Sequence, residues 1–330
     1  MKLSVIVPAR DAAATLPRCL EAVAAILAAG DELVVVDDGS KDSTAVVAQR
    51  YGARVVSRTR PAGPAAARNL GAGEASGDVL LFVDADVVIP PGSRERIEAA
   101  LSAPDLAAAV GILGEATETR DFASRYENHY MHWAYRSGPD FVPIFYTSAG
   151  AIRAAVFRAL GGFDEGYRHP SVEDMDLGVR LALAGSTPRV LMDLQVLHLK
   201  TFGLLGLLRV NRRKATATLR LRWRHRHRQP PGSVASGGRF VAGIPFTVAA
   251  GGLLGASLSG APGFETAGLW GSLACFALAL LLRWPFLRYL ADREGVGFAL
   301  AALPLLLAND VAYSVGLGVG VAGWIAGRRH

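Results

Sequence analysis

Val79-Leu80-Leu81-Phe82-Val83-Asp84-Ala85-Asp86 runs five apolar residues into a pair of carboxylates. An apolar run of this length reads as a buried strand. Residues two apart on a strand share a face, so Asp84 and Asp86 project together. Two like charges that close require a cation between them. Hard divalent ions with oxygen ligands, manganese or magnesium, are the natural occupants. Such an ion commonly holds a diphosphate, and the pair therefore points to a nucleotide-linked substrate. A solvated acidic turn is the alternative for Asp-x-Asp taken alone. The sequence on either side decides against it.

Upstream, strand and helix patterns alternate. Leu3–Pro8 reads as a strand, and Thr15–Ala29 as a helix with Pro17 in its first turn and Gly30 at its end. Leu33–Asp37 is a second strand, with a helix opening at Ser40–Thr44 and running to Tyr51. Arg54–Ser57, a helix over Ala65–Ala75 and the Val79–Val83 strand follow. Apolar strands alternating with helices imply a parallel sheet covered on both faces, with ligands gathering at the carboxyl ends of its strands. Pro8-Ala-Arg10, Asp37-Asp38-Gly-Ser40 and Asp84-Ala-Asp86 all stand at such ends. Downstream, Ala107–Gly114 reads as a strand, Asp121–Arg136 as an aromatic-rich helix and Phe145–Arg153 as a short strand. A helix closes at Gly161-Gly162, another covers Glu173–Ala184, and Val190–His198 returns as a strand.

The second part of the chain differs in kind. Of 330 residues, 51% are hydrophobic, and the net charge is +6, both unevenly spread. Between Arg209 and Arg228 stand eight arginines, Lys214, His225 and His227, with no acid. Wound as a helix, Arg209, Arg213, Arg220 and Arg224 share one face, with Leu207, Val210, Ala217 and Leu221 on another. Nucleic-acid binding is one reading of such a run. Neighbouring apolar segments favour the other, an in-plane helix facing anionic lipid, ended by Gln229-Pro-Pro-Gly232. Phe240–Leu258 and Thr266–Leu282 are each long enough to cross a bilayer, and Gly295–Gly327 is longer than one span. That third segment is expected to tilt, kink near Pro304 or break at Asn309-Asp310, which leaves three or four crossings. Its Gly316, Gly320, Gly323 and Gly327 suit close helix contact. The basic run and an Arg283–Arg293 loop should face the cytoplasm. The Met-Lys start leads directly into a strand without a signal-peptide pattern, and Cys19 and Cys275 are expected to remain unpaired. These features predict a catalytic part in the cytoplasm on the inner membrane, anchored by a multi-pass tail.

Five motifs occur in order: Val5-Ile-Val-Pro8-Ala-Arg10, Val34-Val-Val-Asp37-Asp38-Gly-Ser40, Ala67-Arg68-Asn69-Leu-Gly71, Phe82-Val-Asp84-Ala-Asp86 and Glu173-Asp174-Met-Asp176-Leu177. Together they resemble the family 2 glycosyltransferases, over residues 3 to 200. The resemblance implies a GT-A, Rossmann-like mixed α/β domain over residues 1–200, a basic interfacial segment over 201–235 and a membrane region over 236–330. It implies an inverting sugar transfer from a UDP- or GDP-linked donor, and the membrane tail points to a lipid-linked or membrane-associated acceptor. Pro8, Arg10, Asp37 and Asp38 would line the base and ribose pocket, and Arg68 would approach the base or diphosphate. Asp84 would stand near ribose or metal, Asp86 would ligate the manganese or magnesium ion, and His198 is a candidate third ligand. An inverting transfer also needs a carboxylate to take the acceptor's proton. Asp174 is the nearest match, and Glu173 is either that base or a helix cap. Arg222-Trp223 matches the end of the Gln-x-x-Arg-Trp motif of processive synthases, but Leu219 stands where the glutamine would. That departure favours single-sugar transfer over a processive synthase; a non-catalytic basic binder of membranes or nucleic acid is the alternative of another class, and it predicts no metal-dependent nucleotide-sugar turnover.

Overall fold

The computed structural model describes residues 1–227 and 242–327. An eight-stranded mixed sheet forms its centre, in the order β3-β2-β1-β4-β7-β6-β8-β5. Strands β1 (Leu3–Ala9), β2 (Glu32–Asp37), β3 (Arg54–Ser57) and β4 (Val79–Phe82) pair in parallel. They are the apolar runs expected from sequence, and β1 and β4 are buried on both faces. The parallel expectation ends at β4. Beside it β7 (Gly150–Arg153) runs antiparallel, as does β7 against β6 (Ala108–Leu113), while β6 pairs β8 (Arg189–His198) in parallel. The short β5 (Val87–Val88), which the sequence did not signal, pairs the end of β8, setting Val87 opposite His198. That pairing brings the Asp84–Asp86 turn beside His198.

Helices cover the sheet: α1 (Leu16–Ala24), α2 (Thr44–Arg50), α3 (Pro64–Glu74), α4 (Ser93–Leu101), α5 (Phe122–Arg136), α6 (Ala154–Ala159) and α7 (Glu173–Leu183). One apolar layer packs Leu16, Cys19, Leu20 and Val23 against Val5, Val35 and Leu81. The opposite layer packs Phe82 among Phe145, Phe157 and Phe163, with Leu177 and Leu181 of α7. Helix α6 closes through Gly161 and Gly162, whose φ of 75° and 71° favour glycine. The strand expected over Phe145–Arg153 shortens to Gly150–Arg153. Its first half instead packs against α7, where Phe145 N donates to the Asp174 carbonyl.

The basic helix α8 spans Leu204–Arg224, with Leu207 and Leu221 buried. Beyond it stand α9 (Ile244–Leu258), α10 (Glu265–Glu294) and α11 (Val296–Ile325). Helices α10 and α11 are each long and apolar enough to cross a membrane, and α9 is shorter. Two expectations are corrected here. Arg283–Arg293 is not a loop: α10 continues through it to Glu294, and the Arg283 guanidinium is fully buried. Nor does α11 break at Asn309-Asp310, because Asp310 is neutralised by Arg283 rather than left to water. Gly316, Gly320 and Gly323 do mark a close helix contact, and α8 is the helix they meet. Arg228, the Gln229–Gly232 break, the start of the first apolar segment and the terminal arginines lie outside the described residues.

Candidate active site

At the first strand end, Pro8 closes β1 against Val36, and Arg10 is exposed beside Asp11, 3.8 Å away. Asp37 is buried and its Oδ1 accepts from Ser40 N at 2.9 Å. Asp38 reaches further. Its Oδ1 accepts from Ala62 N at 2.9 Å and its Oδ2 from Gly63 N at 2.8 Å, with Arg58 Nε at 3.5 Å. Gly63 adopts φ 99°, and a Cβ there would strike the Arg168 backbone. Asp38 thus anchors the loop that starts α3, and so sets where Arg68 stands.

Arg68 is 5% exposed, and it links two elements far apart in sequence. Its Nη2 donates to Asp84 Oδ1 at 2.7 Å and its Nη1 to Glu173 Oε1 at 3.0 Å. The guanidinium also lies over the Phe163 ring, 5.5 Å from its centroid. Burial works against the charge, but the two carboxylates outweigh it and hold the Arg68 pKa above its ordinary value. Burial alone would raise the Asp84 pKa, and Arg68 holds it below the ordinary carboxylate value. The family resemblance brings Arg68 toward the base or diphosphate; within the protein its two Nη atoms donate to carboxylates.

Glu173 and Asp174 open α7. Glu173 Oε2 accepts from Ser171 N at 2.9 Å, so one side chain both caps the turn before the helix and receives Arg68. Asp174 is half-buried, and the hydrogen bond to its Oδ1 comes from its neighbour Met175 N at 2.7 Å. Burial, then the adjacent Glu173 charge, pushes its pKa up to about 7. Perturbed acids of this kind mark candidate proton-transfer groups. Asp176 stays a structural acid: it is 2% exposed and bound by Arg180 Nε at 2.7 Å and His225 Nε2 at 3.0 Å. A cavity of about 310 Å³ between it, the Gly161–Asp164 loop, Arg180 and Arg224 borders that side of α7. Helical residues two apart point about 200° apart, so this cavity is on the other face from Asp174.

Asp86 and His198 face one another, Oδ1 to Nε2 at 3.7 Å, with both side chains partly exposed. A carboxylate and an imidazole at that separation suit a manganese-type ion whose other positions come from substrate oxygens. No cluster of three or more acid, histidine or cysteine side chains gathers around a metal position among the described residues. Asp84, near the same pair, is bonded to Arg68 and receives Ser148 Oγ on Oδ2 at 3.3 Å. Two contributors stand in segments that the sequence marked without giving these residues a role. Ser148 lies in Thr147-Ser-Ala-Gly-Ala151, which resembles an acceptor-side loop of the family. Asn69, inside a quoted motif, pins the Phe163 segment by accepting from Phe163 N at 2.8 Å and donating to its carbonyl at 2.9 Å.

Residues 4–161 match the family described as Glycosyl transferase family 2. A pre-mycofactocin glycosyltransferase of Mycobacterium tuberculosis is 30% identical over 198 residues, covering 57% of this chain and 40% of that protein. A glucosyl-3-phosphoglycerate synthase from the same species is 37% identical over 97 residues, covering 27% of this chain and 30% of that one. The chain thus spans well under half of the length of these relatives. In fold it resembles a mannosyltransferase of Pyrobaculum calidifontis, solved in complex with GDP-Man and Mn2+. The likeness has a TM-score of 0.59 at 19% identity and covers 96% of this chain and 86% of that one.

Proposed function

We propose that this chain, whose residues 4–161 form a family 2 glycosyltransferase domain, transfers a single sugar with inversion from a nucleotide-diphosphate donor to a membrane-associated acceptor. The observation that carries the reading is the buried Asp84–Arg68–Glu173 bridge, with Asp174 raised beside it. It ties the donor-side strand end to the first turn of α7 and leaves one carboxyl next in line able to take a proton near neutral pH.

In this reading Asp86 and His198 hold a manganese or magnesium ion, which when bound supplies positive charge to the departing diphosphate. Pro8, Arg10, Asp37 and Asp38 border the base and ribose, with Asp38 acting by fixing the Ala62–Gly63 loop. Asp84 and Arg68 keep the two halves in register. An acceptor hydroxyl attacks the anomeric carbon, its proton passes to Asp174, and the bond to the diphosphate breaks with its electron pair leaving on the nucleotide. Support for a membrane-associated acceptor comes from the tail: α10 and α11 pack on α5 through Phe286, Leu290 and Ala302 against Ala123 and Tyr126. His132 of the same α5 hydrogen-bonds the Leu113 carbonyl at the end of β6. Apolar helices and catalytic sheet therefore share one supporting helix.

Titrating UDP and GDP with manganese by calorimetry, and following labelled transfer to membrane lipid extract, tests both halves. Asp86→Ala should lose manganese-dependent nucleotide binding. Asp174→Asn should bind as the parent does and fail to transfer; transfer at the parent rate would move the base elsewhere.

A further inference from the structure

We propose that the second half of α11, Asn309–Ile325, lies in the plane of the membrane surface against α8 and does not cross the bilayer, its outer face resting on anionic lipid. The proposal rests on the membrane reading above and replaces the count of three or four crossings.

Helix α8, about 31 Å long at the usual rise, rides on the catalytic domain along its length. Leu207 packs with Ala123 and Tyr126 of α5, Lys214 Nζ stands 3.8 Å from Glu127, and His225 reaches Asp176 at 3.0 Å. Arg224 pairs Asp164 at the same end. Arg209, Arg212, Arg213, Lys214 and Arg222 remain exposed. Sinking a helix with that many charges into hydrocarbon would cost several kcal/mol per residue at the centre, and a water-soluble domain is fastened to it. Helix α8 is therefore held at the level of the interface.

The second half of α11 follows α8 in parallel register. Asn211 donates to Asn309 at 3.1 Å, Thr216 Oγ1 donates to the Gly316 carbonyl at 2.7 Å, and Trp223 meets Trp324 at 5.0 Å between ring centroids. These contacts advance together along both helices, so whatever direction α8 takes, α11 takes too. A Cβ at Gly316 would strike the Arg212 carbonyl, and glycine is what permits the approach. The first half of α11 is committed elsewhere: Ala299, Ala302, Leu305 and Leu306 are buried with α5 and α10. The direction of the second half is therefore set by α8. Its outward stripe, Val311, Val315, Val319 and Ile325, is exposed and turned away from the glycine face that meets α8, while the exposed charges of α8 lie on the neighbouring helix. An apolar stripe beside an arginine-rich helix suits a seat at the headgroup boundary of an anionic bilayer.

Depth distinguishes the two placements. Single cysteines at Val311, Val315, Val319 and Ile325, with Leu273 of α10 as a reference and both Cys19 and Cys275 changed to Ala, would carry a fluorophore in the full chain. The protein would be reconstituted in phosphatidylcholine–phosphatidylglycerol vesicles holding a lipid quencher at a shallow or a deep acyl position. In-plane seating predicts uniform quenching at the four α11 sites, stronger with the shallow lipid. Quenching that deepens along α11 and favours the deep lipid at its middle overturns the proposal while leaving the membrane reading intact. An unquenched α11 beside a quenched Leu273 site overturns it as well, since that face then meets no lipid. Loss of quenching at every site, Leu273 included, would overturn the membrane reading itself.

Discussion

Among the described residues two arginines are buried, and their surroundings differ in the balance of charge around them. Arg283 of the tail, 1% exposed, places Nη2 at 2.7 Å from both oxygens of Asp310. Asp310 also accepts from Thr247 Oγ1 at 2.7 Å, so one cation meets one anion and joins α9, α10 and α11. Arg68 of the catalytic domain is buried to a similar degree but faces Asp84 and Glu173, with Asp174 adjoining. There the negative charges outnumber the positive. Out of water a balanced pair is inert scaffolding, whereas surplus carboxyl must protonate or find a cation. Asp174, pushed up to about 7 by burial and the Glu173 charge, is that surplus. In the proposed mechanism, Asp174 becomes a base because its buried cluster is under-neutralised.

The sharpest way to break this contrast is to remove the surplus. Asp174→Asn should lower transfer by about 10²–10⁴-fold, the usual worth of a positioned general base, with nucleotide binding by calorimetry unchanged. Removing one partner from the balanced pair should act on stability instead. Asp310→Leu strands Arg283 in an apolar junction and should cost about 3–5 kcal/mol, read as a fall in unfolding temperature with catalytic rate per folded molecule preserved. Arg283→Met with Asp310→Leu should recover most of it. If the double change destabilised as much as the single one, the pair would be holding more than itself.

How far these regions were legible in sequence follows the same division. The apolar strands and the motif acids at their ends were readable because each rests on local pattern: a buried strand needs its run of Val, Leu and Ile, and period two puts Asp84 and Asp86 together. The partners of those acids were not, because pairing depends on register across the sheet. Arg68 meets Glu173 over 105 positions of sequence, and nothing local marks that meeting. His198 was a candidate on sequence, and the pairing of β5 with β8 supplies the reason it stands beside Asp86. In the tail, composition announced apolar helices but misled over their ends. Arg283 resembled a cytoplasmic boundary because a lone arginine in an apolar run has no visible partner until Asp310, 27 residues on, is folded against it.

A milder probe of the same imbalance is pH. Asp174 must be ionised to accept a proton, so transfer should fall about tenfold for each pH unit below about 7, with Asp174→Asn leaving a flat residual rate. Stability should move the other way. A carboxyl whose folded-state pKa lies above its unfolded value contributes most below the unfolded value and loses that contribution as pH rises through about 7. Compared across pH 4 to 8, the unfolding temperature of Asp174→Asn should therefore rise relative to the parent. Parallel curves would place the raised acid elsewhere in the cluster.

The smallest effects belong to the seam between the two regions, where α8 meets α7. Arg224 pairs Asp164 and stands 3.6 Å from Asp176, with 36% of its side chain exposed, and exposed pairs contribute about 0–1 kcal/mol. Arg224→Ala should scarcely shift unfolding. His225 is less exposed and bonds an Asp176 that is nearly dry, and a bond to a buried charged group is worth about 1.5–3 kcal/mol. Asp176 keeps Arg180 when His225 is lost, which places His225→Ala at the low end of that range. Both substitutions leave the Arg68 bridge untouched, so nucleotide binding should be unchanged in each. A fall in binding with either would mean that the seam, and not only the bridge, sets the position of the first turn of α7.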